Sequence, residues 1–204
     1  MRVSQGRVLV TGASRGIGRA VVACLVKNGA RVAAVGRDED ALMQVARTAS
    51  KQVTAVVGDL ARESERELLV AHAAQALGGL DGVVHCAGIV KYEPVGTLTP
   101  QALEAMWRVN QLAPTLLSQE AARVMVQQGH GGSIVTVSST LSTRPAPSTV
   151  GYAATKAALE ATTRGLAKEL AARHIRVNAV APGVVDTDMV RQPRVAPGTS
   201  IPVG

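Results

Sequence analysis

Val8-Leu9-Val10-Thr11-Gly12-Ala13-Ser14-Arg15-Gly16-Ile17-Gly18 is the stretch on which the fold turns. A short apolar run stops at a glycine-rich turn, and a helix-period pattern follows with Ile17, Val21, Cys24 and Leu25 spaced to share one face. A strand that hands over to a helix through such a turn leaves the helix's first N–H groups without intrahelical partners, a ready site for phosphate. Each glycine has a mechanical reason. Gly12 permits the sharp turn, Gly16 lets the backbone come close to a pyrophosphate, and Gly18 lets the helix sit near the sheet.

Outward from that unit the pattern repeats. Apolar runs over residues 32–35, 53–57, 82–86, 133–139 and 176–181 read as strands two to six. Helical stretches alternate with them over 39–50, about 62–77, a long region from Pro100 to Met125, and from Tyr152 to about Arg173. Strands alternating with helices of this length predict βαβ crossovers and a parallel sheet with helices on both faces, an α/β fold. Ligands in such sheets collect at the carboxyl ends of the strands. The second strand ends at Gly36-Arg37-Asp38, where a carboxylate would hold a ribose hydroxyl and a basic group would accommodate a 2′-phosphate. Arg37 with Arg15 favours NADP(H), through the planar guanidinium fork, while Asp38 and Asp40 are alternative carboxylates. Asp59, after the third strand, is either a pocket residue or an N-cap for the next helix. Asn110 interrupts an apolar helical region, which predicts a kink or a functional amide, and Trp107 is expected in the core.

Composition narrows the function classes. The chain has 204 residues, 47% hydrophobic and 18% charged, enough for one sizeable core. One domain over 1–191 is expected, with residues 192–204 a proline-rich tail carrying Pro193, Pro197 and Pro202. No apolar run approaches the ~18 residues of a membrane span, and no secretory signal is visible, so a cytoplasmic protein is expected, or one of the mitochondrial matrix if eukaryotic. Cys24 and Cys86 lack disulfide or metal spacing, and no metal is expected. A net charge of +7 and a pI near 10.1 raise nucleic acid as a partner. The basic residues are interleaved with acidic ones, however, as in Arg62-Glu63-Ser64-Glu65-Arg66-Glu67, and Tyr92, Trp107 and Tyr152 are the whole aromatic complement. No stacking platform results, which argues against nucleic acid.

Tyr152 and Lys156 stand four apart on one predicted helix, so their side chains share a face. An ammonium beside a phenol stabilises the phenolate and is expected to lower the tyrosine pKa toward neutrality, where it can exchange a proton with a carbonyl or alcohol oxygen. Ser139, at the end of the preceding strand, offers a hydroxyl for the same substrate oxygen.

These residues together resemble the short-chain dehydrogenase/reductase family over nearly the whole chain. The 11–18 turn looks like the family's cofactor motif, in which Gly12, Ser14, Arg15, Gly16, Ile17 and Gly18 would line the dinucleotide. Asn110, Ser139, Tyr152 and Lys156 fall in order on its catalytic tetrad. The resemblance implies a Rossmann-type doubly wound parallel sheet and hydride transfer between NADPH and a carbonyl carbon, with Tyr152 as general acid and Ser139 fixing the oxygen. Lys156 would tune the tyrosine and hold the nicotinamide ribose, and Asn110 would order a water linking that lysine to solvent. It also implies cofactor contacts from Arg37, Asp59 and Leu60, from Cys86, Ala87 and Gly88, and from Pro182, Gly183, Val185 and Thr187 after the sixth strand.

Within the family the motifs look most like 3-oxoacyl-[acyl-carrier-protein] reductases and their carbonyl reductase relatives. That implies a carbonyl or acyl-thioester substrate, acyl-carrier protein as a partner, a role in fatty acid biosynthesis, and a homo-oligomer where the ending permits. Two departures stand out. His85-Cys86-Ala87-Gly88 replaces the family's Asn-Asn-Ala-Gly, with His85 expected to be a strand residue satisfied by its neighbours. The chain also ends where relatives add a last strand, so the sixth strand is expected at an edge. The alternatives are an alcohol or hydroxysteroid dehydrogenase working oxidatively, and a non-catalytic partner subunit.

Overall fold

A computed structural model describes residues 3–48 and 50–191, so the expectations for the tail at 192–204 lie outside the described residues. Six strands are present: β1 Arg7–Thr11, β2 Arg31–Gly36, β3 Val53–Val57, β4 Gly82–His85, β5 Gly132–Val137 and β6 Ile175–Val180. All pair in parallel, in the order β3-β2-β1-β4-β5-β6. The chain winds outward from β1 to β3, then returns to β4 on the other side of β1. That reversal is the switch point at which doubly wound sheets leave a crevice. Thr11 and His85 are register partners there, so the β1 and β4 exits face each other across it.

Six helices connect the strands: α1 Gly16–Lys27, α2 Glu39–Thr48, α3 Glu63–Leu77, α4 Pro100–Trp107, α5 Ala113–Gln128 and α6 Val150–Leu170. Alternation along β1 explains the two-faced core. Val8 and Val10 pack with Val22 of α1 and Leu42 and Val45 of α2. Leu9 points the other way, into a cluster with Leu69 and Ala73 of α3 and Leu117, Ala121 and Met125 of α5. β2 is buried on both faces, with Val32 to Val35 inaccessible to solvent, which is why it reads as an unbroken apolar run. β6 holds the sheet edge beyond β5, as expected, with Val180 54% exposed. Among the described residues, no helix is long and apolar enough to cross a membrane.

Three local expectations change. On α1 the buried residues are Gly18 and Val22, and Cys24 is exposed, because close approach at Gly18 rotates the helix toward Val22. The region around Asn110 is a five-residue π-helical turn, Arg108–Leu112, between α4 and α5. Trp107 lies outside the core, 44% exposed, because the buried positions of α4 are Ala102 and Met106.

Candidate active site

The β1–α1 turn is built from backbone rather than side chains. Gly12 and Gly16 have φ of +65° and +52°, a region that costs other residues strain. A Cβ on Gly12 would lie 2.7 Å from Ala87 N and Cα, and one on Gly18 would lie 2.7 Å from the Gly12 carbonyl carbon and closer still to its oxygen. Gly16 faces the Thr187 side chain, where a Cβ would sit 3.3 Å from Cγ2. Arg15 occupies the N-cap of α1 without a side-chain capping bond among the described residues, and no acidic residue lies in the first turn. The helix therefore presents its positive end to the crevice uncompensated, and the cradle fits an anionic pyrophosphate.

At the neighbouring exits, Asp38 Oδ1 accepts a hydrogen bond from Ala41 N at 3.0 Å, as at a helix start, and Arg37 is exposed after β2, as are Asp38 and Asp40. Asp59 is not the N-cap of α3, which is Arg62; its carboxylate accepts from Ala61 N at 2.9 Å and closes a tight turn. Leu60 is buried in the core against α3. Ala87 N donates to Thr11 Oγ1 at 3.2 Å, tying the β4 exit to β1 across the switch point.

One cavity of about 960 Å³ opens at the carboxyl end of the sheet. It collects Ile17 from the turn, Cys86 and Gly88 after β4, Ser139 after β5, Tyr152 and Lys156 from α6, and Pro182 to Val185 with Thr187 after β6. These lie near one another because four successive strand exits and the first turn of α6 meet there. The other predicted residues, Gly12, Ser14, Arg15, Gly16, Gly18, Arg37, Asp59, Leu60, Ala87 and Asn110, do not line it.

Asn110 is fully buried. Its Oδ1 accepts from Ile89 N at 2.8 Å, while its Nδ2 donates to Ile89 O at 2.8 Å and to Thr155 Oγ1 at 3.1 Å. The amide thus braces the segment after β4 against α6. A Cβ on Gly88 would lie 3.4 Å from Asn110 Oδ1 and 3.5 Å from Lys156 Nζ, so a glycine lets those groups approach the same point. Ser139 caps a short 3-10 turn, its hydroxyl accepting from Leu141 N at 3.1 Å. Lys156 donates to Val137 O at 2.8 Å, with Nζ 5.7 Å from the centroid of the Tyr152 ring.

The electrostatics correct one expectation. Burial pushes the Tyr152 phenol above its ordinary pKa; a hydrogen bond with Ser139 opposes this and the neighbouring Tyr92 adds to it. Desolvation is the largest of these influences, and the neighbouring Lys156 is itself buried and hydrogen-bonded to the Val137 carbonyl. Burial lowers Lys156 to about 8, with Cys86 opposing, and raises Cys86 to about 12, with Lys156 opposing. His85 lies just behind. Its Nε2 is 2.9 Å from Ser118 Oγ, its Nδ1 has no partner among the described residues, and burial lowers it to about 3. The expectation that neighbours would satisfy it holds for one ring nitrogen only. Sequence reasoning missed the apolar partners of Tyr152, namely Val90, Met106, Leu141 and Met189, because they come from segments far apart in the chain.

Comparison with known proteins supplies the lineage. A family profile described as short chain dehydrogenase matches residues 6–196. L-xylulose reductase of Caenorhabditis elegans is 40% identical over 190 residues, 91% of this chain and 74% of the relative. D-erythrulose reductase of Gallus gallus is 40% identical over 185 residues, 91% of this chain and 73% of the relative. Among solved structures, a 3-ketoacyl-(acyl-carrier-protein) reductase from Brucella melitensis complexed with NADH superposes with a TM-score of 0.89 at 29% identity, covering 93% of this chain and 80% of that one.

Proposed function

This chain belongs to the short chain dehydrogenases, NAD(P)-dependent oxidoreductases, and from that premise we propose that it reduces a carbonyl group to a secondary alcohol with NADPH. The observation behind this reading is that Ser139, Tyr152 and Lys156 line the same cavity as Ile17 of the glycine turn. When bound, the dinucleotide supplies a hydride to the carbonyl carbon. Gly12, Gly16, Gly18 and the N-terminus of α1 would hold its pyrophosphate, Arg15 and Arg37 a 2′-phosphate, and Val185 and Thr187 its nicotinamide end. NADPH is favoured over NADH because Arg15 and Arg37 follow the first two strands, while Asp38 Oδ1 is engaged by Ala41 N.

The chain's own residues handle the proton. Tyr152 Oη donates to the carbonyl oxygen as it gains charge, and its raised pKa keeps that proton in place until then. Ser139 accepts from Leu141 N, and its hydroxyl, hydrogen-bonded to Tyr152 in this structure, would turn to orient the same oxygen. Lys156 adds positive charge beside the phenol, and Asn110 is a positioning residue that fixes the β4 exit against α6. A 3-oxoacyl thioester delivered by acyl-carrier protein is the finer reading supported by the Brucella neighbour. A cytoplasmic homo-oligomer fits the same reading.

Replacing Tyr152 by Phe tests the assignment. The expected loss in kcat/KM is roughly 10²- to 10⁴-fold, while NADPH still raises the melting temperature, since a ligand bound by the folded state stabilises it. Unchanged turnover removes Tyr152 as the acid. Wild-type kcat/KM for NADPH above that for NADH supports the arginine reading; the reverse order, together with faster alcohol oxidation, supports the oxidative alternative.

A further inference from the structure

Among the described residues, the wall around the reacting hydroxyls is mainly apolar and carries no charged side chain besides Lys156. Val90, Pro94 and Val95 from the segment after β4 line the cavity together with Leu141, Pro147 and Val150 from the segment after β5. Tyr152 itself packs in a cluster with Val90, Met106, Leu141 and Met189. Two of the hydroxyls nearby donate to the protein. Ser138 Oγ donates to Glu160 Oε1 at 2.7 Å, and Thr149 Oγ1 donates to Ala146 O at 2.6 Å. Among the described lining residues, Lys156 is the sole cation and there is no carboxylate.

From this we infer that the substrate is an uncharged ketone with an apolar substituent, an aliphatic chain or an aromatic ring, and not a polyhydroxylated sugar. The inference rests on the carbonyl-reductase reading and narrows it. It also separates this chain from the L-xylulose and D-erythrulose reductases it resembles at 40% identity. A sugar hydroxyl laid against Val95, Leu141 or Val150 loses its water without gaining a partner, which costs roughly tenfold or more in affinity for each such group. A methylene laid there gains about fourfold. The cavity of about 960 Å³ has room for such a chain.

The test is NADPH oxidation with methyl ketones from 2-butanone to 2-octanone, alongside L-xylulose and D-erythrulose. kcat/KM is expected to rise about two- to fourfold per methylene, with both ketoses at least a hundredfold below 2-octanone. A Val95→Asp variant, at an exposed position, is expected to lose about tenfold on 2-octanone with its KM for NADPH unchanged. Ketoses reduced as well as 2-octanone overturn the inference. Saturation-transfer NMR with 2-octanol and xylitol in competition reads the wall without turnover. Transfer to 2-octanol alone supports the apolar site even in a protein that oxidises no NADPH, a result that sinks the reductase reading instead. Transfer to xylitol, to both equally or to neither overturns the inference.

Discussion

The two ends of β4 treat charge in opposite ways. Just before the strand, Asp81 accepts from the Arg7 side chain at 2.6 Å and 2.9 Å and from Arg7 N at 2.8 Å. That pairing holds the Asp81 carboxyl below its ordinary pKa and the Arg7 guanidinium above its own. At the other end, burial disfavours the charged forms of His85, Cys86, Tyr152 and Lys156. One end of the sheet stabilises ions and the other resists them. A dry, ion-poor pocket is costly to fold, yet it strengthens a single proton transfer because few other dipoles screen it. The difference assigns stability to the amino end of the sheet and chemistry to the carboxyl end.

The largest effect is expected where the resistant end holds the buried ammonium of Lys156. Lys156→Met removes the ammonium but keeps the length of the side chain, and kcat/KM is expected to fall by about a hundredfold or more. Thermal stability near pH 7 should be unchanged or higher, since desolvating an ammonium costs the folded state. The pH sign agrees. Lys156 has a folded pKa of about 8 against 10.5, so between those values the unfolded chain binds more protons and this group adds stability as pH rises. The variant should lack that increment. A variant that melts well below wild type while retaining turnover would place Lys156 in the scaffold and dissolve the contrast.

How much of this was legible in the sequence follows from distance along the chain. The turn at Gly12 to Gly18 and the Tyr152–Lys156 pair were readable because their geometry is local, set by one turn and one helix period. The parallel sheet covered on both faces followed from the alternation of elements, whereas the strand order is set by pairings between distant segments. Arg7 and Asp81 meet across 74 residues, and His85 meets Ser118 across 33, so no local pattern announces either contact. The sign of the Tyr152 shift was misread for a related reason: spacing shows that a lysine is near, whereas burial depends on Val90, Leu141 and Met189 arriving from elsewhere. Trp107 was misplaced because an aromatic residue in an amphipathic pattern suggests the core, whereas the buried stripe of α4 runs through Ala102 and Met106.

The next effect separates the ends by acid. His85 has a folded pKa of about 3 against 6.5, so as pH falls through that window the unfolded chain takes up a proton that the folded chain refuses. Stability present above 6.5 is therefore lost progressively toward about 3, by a few kcal/mol. His85→Asn cannot take up that proton. It is expected to be about 1 kcal/mol less stable than wild type at pH 7.5, and to match or exceed it near pH 4 in urea titrations. Parallel pH curves for the two proteins would show that His85 does not contribute to the acid sensitivity of this end.

The smallest effect belongs to the paired end. Asp81→Asn keeps the shape but removes the charge facing Arg7, whose side chain and main-chain N–H both rely on that carboxylate. The pair is partly exposed, so the expected cost at pH 7 is about 1–2 kcal/mol. Its pH sign is the same as in the His85 case, because both folded pKa values lie below the ordinary ones, but here it is the charged form that stabilises the fold. A lowered folded pKa means that Asp81 contributes stability above the ordinary carboxylate value, and that this is lost as pH falls through the folded value. The gap between wild type and Asp81→Asn should therefore close in acid, whereas the gap between wild type and His85→Asn closes and then inverts. Turnover by Asp81→Asn should stay within about twofold of wild type, because Asp81 lies outside the cavity that holds Tyr152. A large loss of turnover in a variant that remains folded would mean that the two ends of β4 are coupled and that the division of labour between them is false.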